Sequence, residues 1–231
     1  MAAAGTLTAG LLVFPDLTQL DLTGPYEVLS RAPDTRVVLV GTRPGPIRSE
    51  FGLILGTDCT LDEAPPLDLL LVPGGVGVNA LLSDDPVLDF LARRGASAAW
   101  VTSVCTGSLV LGAAGLLRGY RATTHWLSLD LLAELGATPV DARVVRDRNR
   151  ITGGGVTAGL DFALALVAEL HGREAAERIQ LMIEYDPAPP LQAGSPRTAS
   201  GALVASTRIE RARVQEDRRT RIQQALRRCQ K

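Results

Sequence analysis

The 231-residue chain falls within the size of a single α/β unit, and its 46% hydrophobic content suffices for a sizeable core. Its 24 basic and 25 acidic residues leave a formal charge of -1, which gives no electrostatic reason to expect nucleic acid or an anionic membrane as partner. Three cysteines without CxxC spacing (Cys59, Cys105, Cys229) and two distant histidines (His125, His171) argue against a disulfide framework and a zinc site, so a reducing, cytoplasmic setting without metal or cofactor is expected.

The amino terminus lacks a basic n-region, and its apolar run stops at Pro15 and Asp16, so neither a signal peptide nor a membrane span is read there. Residues 7–14 predict a strand and Leu20 to Ala32 a helix, with Asp21, Thr23 and Pro25 resembling helix-start chemistry. Further strands are expected at 36–41, 67–75 and 97–104, and helices near 84–95 and 106–114. Runs apolar on both faces imply a largely parallel sheet covered by helices. Residues 44–60 have the punctuation of a β-hairpin at a sheet edge. Residues 143–154 predict two short strands meeting at Arg148 and Asn149, followed by a helix over 157–171 that Gly172 ends and a second over 173–185. Four prolines in 186–196 require an extended surface run. From about Ala202 an arginine-rich helix follows, interrupted by Glu210, Glu216 and Asp217. It reads as a solvated appendage packed on a neighbour or a dimer mate rather than as a nucleic-acid site. The chain thus divides into a domain over 1–200 and a charged helical tail over 201–231.

Three segments carry chemistry. In WVTSVCTGSLVLGAAGLL a β-branched run ends at Val104 and a helical run begins just after Cys105, an arrangement resembling a nucleophile elbow without the full G-x-S-x-G pattern. A thiolate there would meet the positive end of the helix and be stabilised near neutrality; the alternative is an inert buried cysteine. In LLLVPGGVGVN, Gly74 and Gly75 close a buried strand at the ligand-binding edge of an open sheet, where the amides of Gly75 and Thr106 can stabilise developing negative charge, or simply form a turn. In FPDLTQLDLTGPYEVL, Asp21 either caps the helix or turns its carboxyl toward the same edge, where a neighbouring thiolate would raise its pKa and let it act as an acid. His125, in RATTHW, is placed in the site wall, with a helix-opening or core role as the alternative. His171 and Asp161 are read as structural.

These segments, with ITGGGVTAGLDFAL and EYDPAPPLQAGSP, resemble the PfpI-like branch of the class I glutamine amidotransferase-like superfamily, and within it the isonitrile hydratases, over most of residues 7–200. The resemblance implies a flavodoxin-like three-layer α/β sandwich with an elbow cysteine, a homodimer, and a small-molecule isonitrile substrate. It also implies Cys105 as nucleophile, Asp21 as its acidic partner and Thr106 as support. Thr106 stands where related proteases carry a histidine, which disfavours peptidase activity. The expected reaction is hydration of R-NC to an N-substituted formamide through a thioimidate on Cys105. The rival readings are a glyoxalase-like hydratase or amidase on the same fold, the sensor domain of an AraC-like regulator, which would need a helix-turn-helix module after it, and a redox sensor using Cys105.

Overall fold

In this computed structural model the described residues run from 5 to 228; residues 1–4 and 229–231, and with them Cys229 and the first residues of the amino-terminal reading, lie outside. Strands β1 (Leu7–Val13) and β2 (Thr35–Gly41) pair in parallel, from Leu7 opposite Thr35 to Val13 opposite Gly41, and α1 (Gln19–Leu29) crosses between them. Thr18 occupies the N-cap of α1 and Asp21 lies in its first turn, as helix-start chemistry suggested, whereas Pro25 lies inside the helix. Asp21 therefore caps nothing and is free to point its carboxyl elsewhere.

The expected hairpin forms from β3 (Ile47–Arg48) and β4 (Ile54–Leu55), but as a separate two-stranded sheet; β5 (Cys59–Thr60) is the piece that joins β2 at the edge of the main sheet. Next come the fully buried β6 (Leu69–Val72), the short α2 (Val78–Leu81) and α3 (Asp85–Ser97). Asp84 starts α3 by accepting a hydrogen bond from Val87 N at 3.2 Å. β7 (Trp100–Val104) leads into α4 (Gly107–Ala113), then β8 (Arg121–Ala122), a 3-10 turn over Trp126–Ser128, α5 (Leu131–Glu134) and β9 (Thr138–Pro139). The antiparallel pair β10 (Val144–Asp147) and β11 (Arg150–Gly153) turns at Arg148 and Asn149, as expected. α6 (Ala158–His171) ends at Gly172, and α7 (Arg173–Met182) and α8 (Gly201–Arg228) complete the chain.

The main sheet has the order β10-β11-β7-β6-β1-β2-β5, parallel throughout except for β10 at one edge. Its helices cover both faces, with α1 against α6 and α4 against β6 and β7, giving a flavodoxin-like three-layer sandwich. Strand order reverses between β1 and β6, and in open α/β sheets the crevice at such a switch point, outside the carboxyl ends of the strands, is where ligands bind. The carboxyl ends of β1, β6 and β7 deliver Asp21, Gly74 and Cys105 to that crevice.

The C-terminal helix is not a solvated appendage. It packs on α2, α4 and the 3-10 turn, burying Arg218, Ile222 and Ala225 along one face at helical spacing. Burying an isoleucine to this degree contributes about 1.5–3 kcal/mol, enough to hold the helix against the body of the same chain.

Candidate active site

Cys105 lies between β7 and α4 with φ at 55°, a left-handed conformation that a non-glycine residue adopts only when its surroundings enforce it. Its amide donates to the Gly153 carbonyl at 3.0 Å, and its own carbonyl accepts from the Thr124 hydroxyl at 2.9 Å and the Ser108 hydroxyl at 3.3 Å. The peptide is thus pinned from β11, α4 and the segment after β8, and the cysteine sits buried at the carboxyl end of β7, facing the small cavity.

Asp21 is fully buried. Its Oδ2 accepts from the Gly74 amide at 3.0 Å, while Oδ1 is enclosed without a well-formed partner. A Cβ on Gly74 would come within 2.6 Å of Thr106 N, 2.7 Å of Asp21 Oδ2 and 2.8 Å of Cys105 Cβ, so the acid and the cysteine meet across a glycine that admits no side chain. Burial pushes the Asp21 carboxyl up to about 7; the Cys105 thiol and the Gly74 N-H pull it down, and the Glu50 charge adds to the rise.

The sequence suggested a thiolate stabilised by the helix N-terminus, and here the structure corrects the expectation. Burial first, then the Asp21 charge, push the Cys105 thiol well above its ordinary value, against lowering by the Thr106 N-H and Arg218. α4 has only seven residues, too short a dipole to offset burial in this setting. Burial and the neighbouring carboxyl thus favour the thiol form of Cys105, beside an acid that burial raises to about 7.

Thr106 joins the site, and its backbone N-H reaches the sulfur. The second expected donor is engaged within the chain: the Gly75 amide donates to Thr106 Oγ1 at 3.1 Å, and the same hydroxyl donates to the Gly75 carbonyl at 3.3 Å. The reason is backbone geometry. Gly75, at φ 134°, bridges to Leu17, and its N-H is turned toward the threonine.

His125 stands in the cavity wall beside Cys105. Its Nδ1 accepts from Leu127 N at 3.4 Å, opening the 3-10 turn, and burial and nearby arginines lower its pKa to about 4. A neutral imidazole committed to this turn is a wall, not a base. His171 hydrogen-bonds Thr35 at 3.2 Å and Asp161 pairs with Arg143 at 2.6 Å, both away from the site.

The cavity over Cys105 has a volume of about 90 Å³. Two neighbouring clefts adjoin it, one of about 410 Å³ that shares His125 and Val156 and one of about 660 Å³ that shares Leu127 and Gln215, whereas a cleft of about 720 Å³ shares no residue with it. Among the lining residues that sequence reasoning missed, the charged ones are Glu50 from the hairpin loop and Arg211 and Arg218 from α8, which also contributes Gln215. Glu50 accepts from the Thr18 hydroxyl at 3.0 Å and lies 3.8 Å from Arg211. The stripe Val214, Arg218, Ile222, Ala225 was a readable signal that one face of the tail is buried.

The DJ-1/PfpI family profile matches residues 8–169. The chain is 55% identical over 202 residues to a Pseudomonas putida protein described as isonitrile hydratase, covering 87% of this chain and 89% of that one. A ThiJ/PfpI family protein of known structure from Pseudomonas syringae superposes with a TM-score of 0.92 at 45% identity, covering 94% of this chain and 91% of its own. An HTH-type transcriptional regulator of Pseudomonas aeruginosa is 38% identical over 139 residues, which make up 58% of this chain but 37% of the regulator.

Proposed function

The chain belongs to the DJ-1/PfpI family, and from that premise we propose that it is an isonitrile hydratase, a hydro-lyase that converts R-NC and water into an N-substituted formamide. The observation that carries this reading is the meeting of Cys105 with a buried, proton-holding Asp21 across Gly74, in a protein 55% identical to a named isonitrile hydratase. An isonitrile needs one proton and one nucleophile delivered to the same terminal carbon. Asp21 gives its proton to that carbon and takes up the thiol proton, while the sulfur of Cys105 bonds to it, leaving the thioimidate R-N=CH-S-Cys105. Water then adds to the C=N carbon with a proton going to nitrogen, the C-S bond breaks, and R-NH-CHO departs as the thiol is restored. The Thr106 hydroxyl holds the Gly75 peptide, and its N-H faces the sulfur as charge develops on it.

The small cavity suits the linear isonitrile group, and the adjoining cleft past His125 and Val156 gives the R group room. A glyoxalase-like hydratase or an amidase would draw on the same cysteine, and the 55% identity to an isonitrile hydratase over 87% of the chain is what favours isonitrile hydration over them. As a redox sensor, Cys105 is poorly placed, because oxidation favours exposed thiolates. We further propose a cytoplasmic homodimer without nucleic-acid or membrane partners. Several arginines of α8 are engaged with acids of the same chain, Arg211 with Glu50, Arg219 with Asp130 and Glu134 and Arg221 with Asp217, and among the described residues no helix is long and apolar enough to cross a membrane.

The test is formamide production from an aryl isonitrile, with methylglyoxal alongside, and mass spectrometry for an adduct on Cys105. Turnover of the isonitrile that disappears, with the adduct, in Cys105→Ala is expected; full formamide production by that variant overturns the assignment.

A further inference from the structure

The α8 helix brings one cation into the site. Arg218 is 3% exposed, lines the cavity over Cys105, and is held in a fixed orientation: its Nε donates to Asn79 Oδ1 at 2.8 Å, its Nη1 to the Ser128 hydroxyl at 2.9 Å, and its Nη2 approaches the Gly75 carbonyl at 3.5 Å. Each anchoring group is itself buried and anchored. Asn79 donates to Asp217 Oδ2 at 2.8 Å and to the Val214 carbonyl at 3.2 Å, and the Ser128 hydroxyl donates to Gln215 at 2.8 Å. No carboxylate pairs directly with the guanidinium among the described residues, since Asp217 reaches Asn79 and Arg221 instead. A buried cation placed on neutral anchors leaves its charge for whatever anion forms beside it. The thiol of Cys105 becomes such an anion whenever its proton leaves.

We propose that Arg218 is a positioning residue of the catalytic site: from the C-terminal helix it supplies the counter-charge to the Cys105 sulfur and fixes the Gly75 peptide on which Thr106 rests. The inference builds on the hydratase reading for the steps that need it. Sulfur carries negative charge twice in that reaction, when its proton is given up as the C-S bond forms and again when the C-S bond of the tetrahedral adduct breaks. A buried guanidinium facing the same small cavity lowers both states. The other titratable and charged groups facing this sulfur and guanidinium are Asp21 from α1, Glu50 from the hairpin, His125 ahead of the 3-10 turn, and Arg211 and Asp217 on α8. Asp21 and Glu50 oppose thiolate formation, so the cation offsets them.

The experiment measures alkylation of Cys105 by iodoacetamide across pH, and kcat and KM for an aryl isonitrile, in the full chain carrying Arg218→Gln or Arg218→Lys. Loss of a nearby cation is expected to slow alkylation at a given pH below the midpoint by roughly tenfold, and to lower kcat at least as much with KM changed less than about threefold. Arg218→Lys is expected to restore most of the alkylation rate, which a merely structural loss would not give. An Arg218→Gln protein that melts as the parent does and alkylates with the parent's pH profile overturns the proposal, as does an Arg218→Lys protein that folds yet alkylates as slowly as the glutamine variant. Alkylation needs no isonitrile: a parent protein without hydratase turnover whose alkylation still depends on Arg218 would sink the function and leave this inference standing.

Discussion

Asp21 carries the largest conflict between water and fold in the site. In the unfolded chain its carboxyl ionises near 3.8, and in the folded protein it keeps its proton to about 7. Between those values the folded state binds the extra proton, so the stability this group contributes is full below about 3.8 and is lost as pH rises to about 7. Asp21→Asn retains an acceptor for the Gly74 amide and cannot ionise. Its stability relative to the parent should therefore rise by roughly 2–3 kcal/mol between pH 5 and pH 8 while hydration is lost, and urea unfolding at the two values would expose the idea as wrong if the difference stayed flat. Activity of the parent should decline above about 7, the acid and thiol titrating as a pair. The residue and the direction of its shift were legible in the sequence, but the cause was not: burial raises the carboxyl, whereas Cys105, expected to raise it as a thiolate, lowers it through a hydrogen bond.

At the scale of elements, the turn after β6 and the helix α8 do different work. The turn must be glycine at 74, since a methyl group there would press on Thr106, Asp21 and Cys105 together. Gly74→Ala is expected to cost about 1–3 kcal/mol of stability and a larger share of activity than of fold, seen as a kcat drop of at least roughly a hundredfold in protein that still unfolds cooperatively. Ile222, fully buried on α8, keeps the helix docked. Ile222→Ala should lower stability by about 2–4 kcal/mol in chemical denaturation; a loss below 1 kcal/mol would mean that the helix is only loosely held. Strands, long helices and the start of α1 to within one residue were readable from periodicity and turn residues, whereas short strands such as β5 and β8 were not. Such short pieces form because tertiary neighbours offer them hydrogen bonds.

For the whole molecule, the β3-β4 hairpin presents Phe51, Leu53 and Ile54 to solvent at 80, 50 and 59% exposure, an apolar cluster of the kind that association covers. The proposed homodimer is expected to sediment at about twice 24.4 kDa, and Phe51→Asp should shift it toward the single chain. A parent protein that sediments as one chain at micromolar concentration removes the dimer from the account. The sequence by itself determined the covered parallel sheet, the strand-to-helix junction at Cys105 and the candidates Asp21, Gly74 and Thr106, because buried strands, turn residues and a thiol each leave a local pattern. Only the tertiary structure decided that burial favours the thiol of Cys105, that the Gly75 amide donates to Thr106, and that an arginine 113 positions beyond the cysteine in sequence lines its cavity. Those outcomes depend on burial and on contacts between distant segments, which no window of sequence contains.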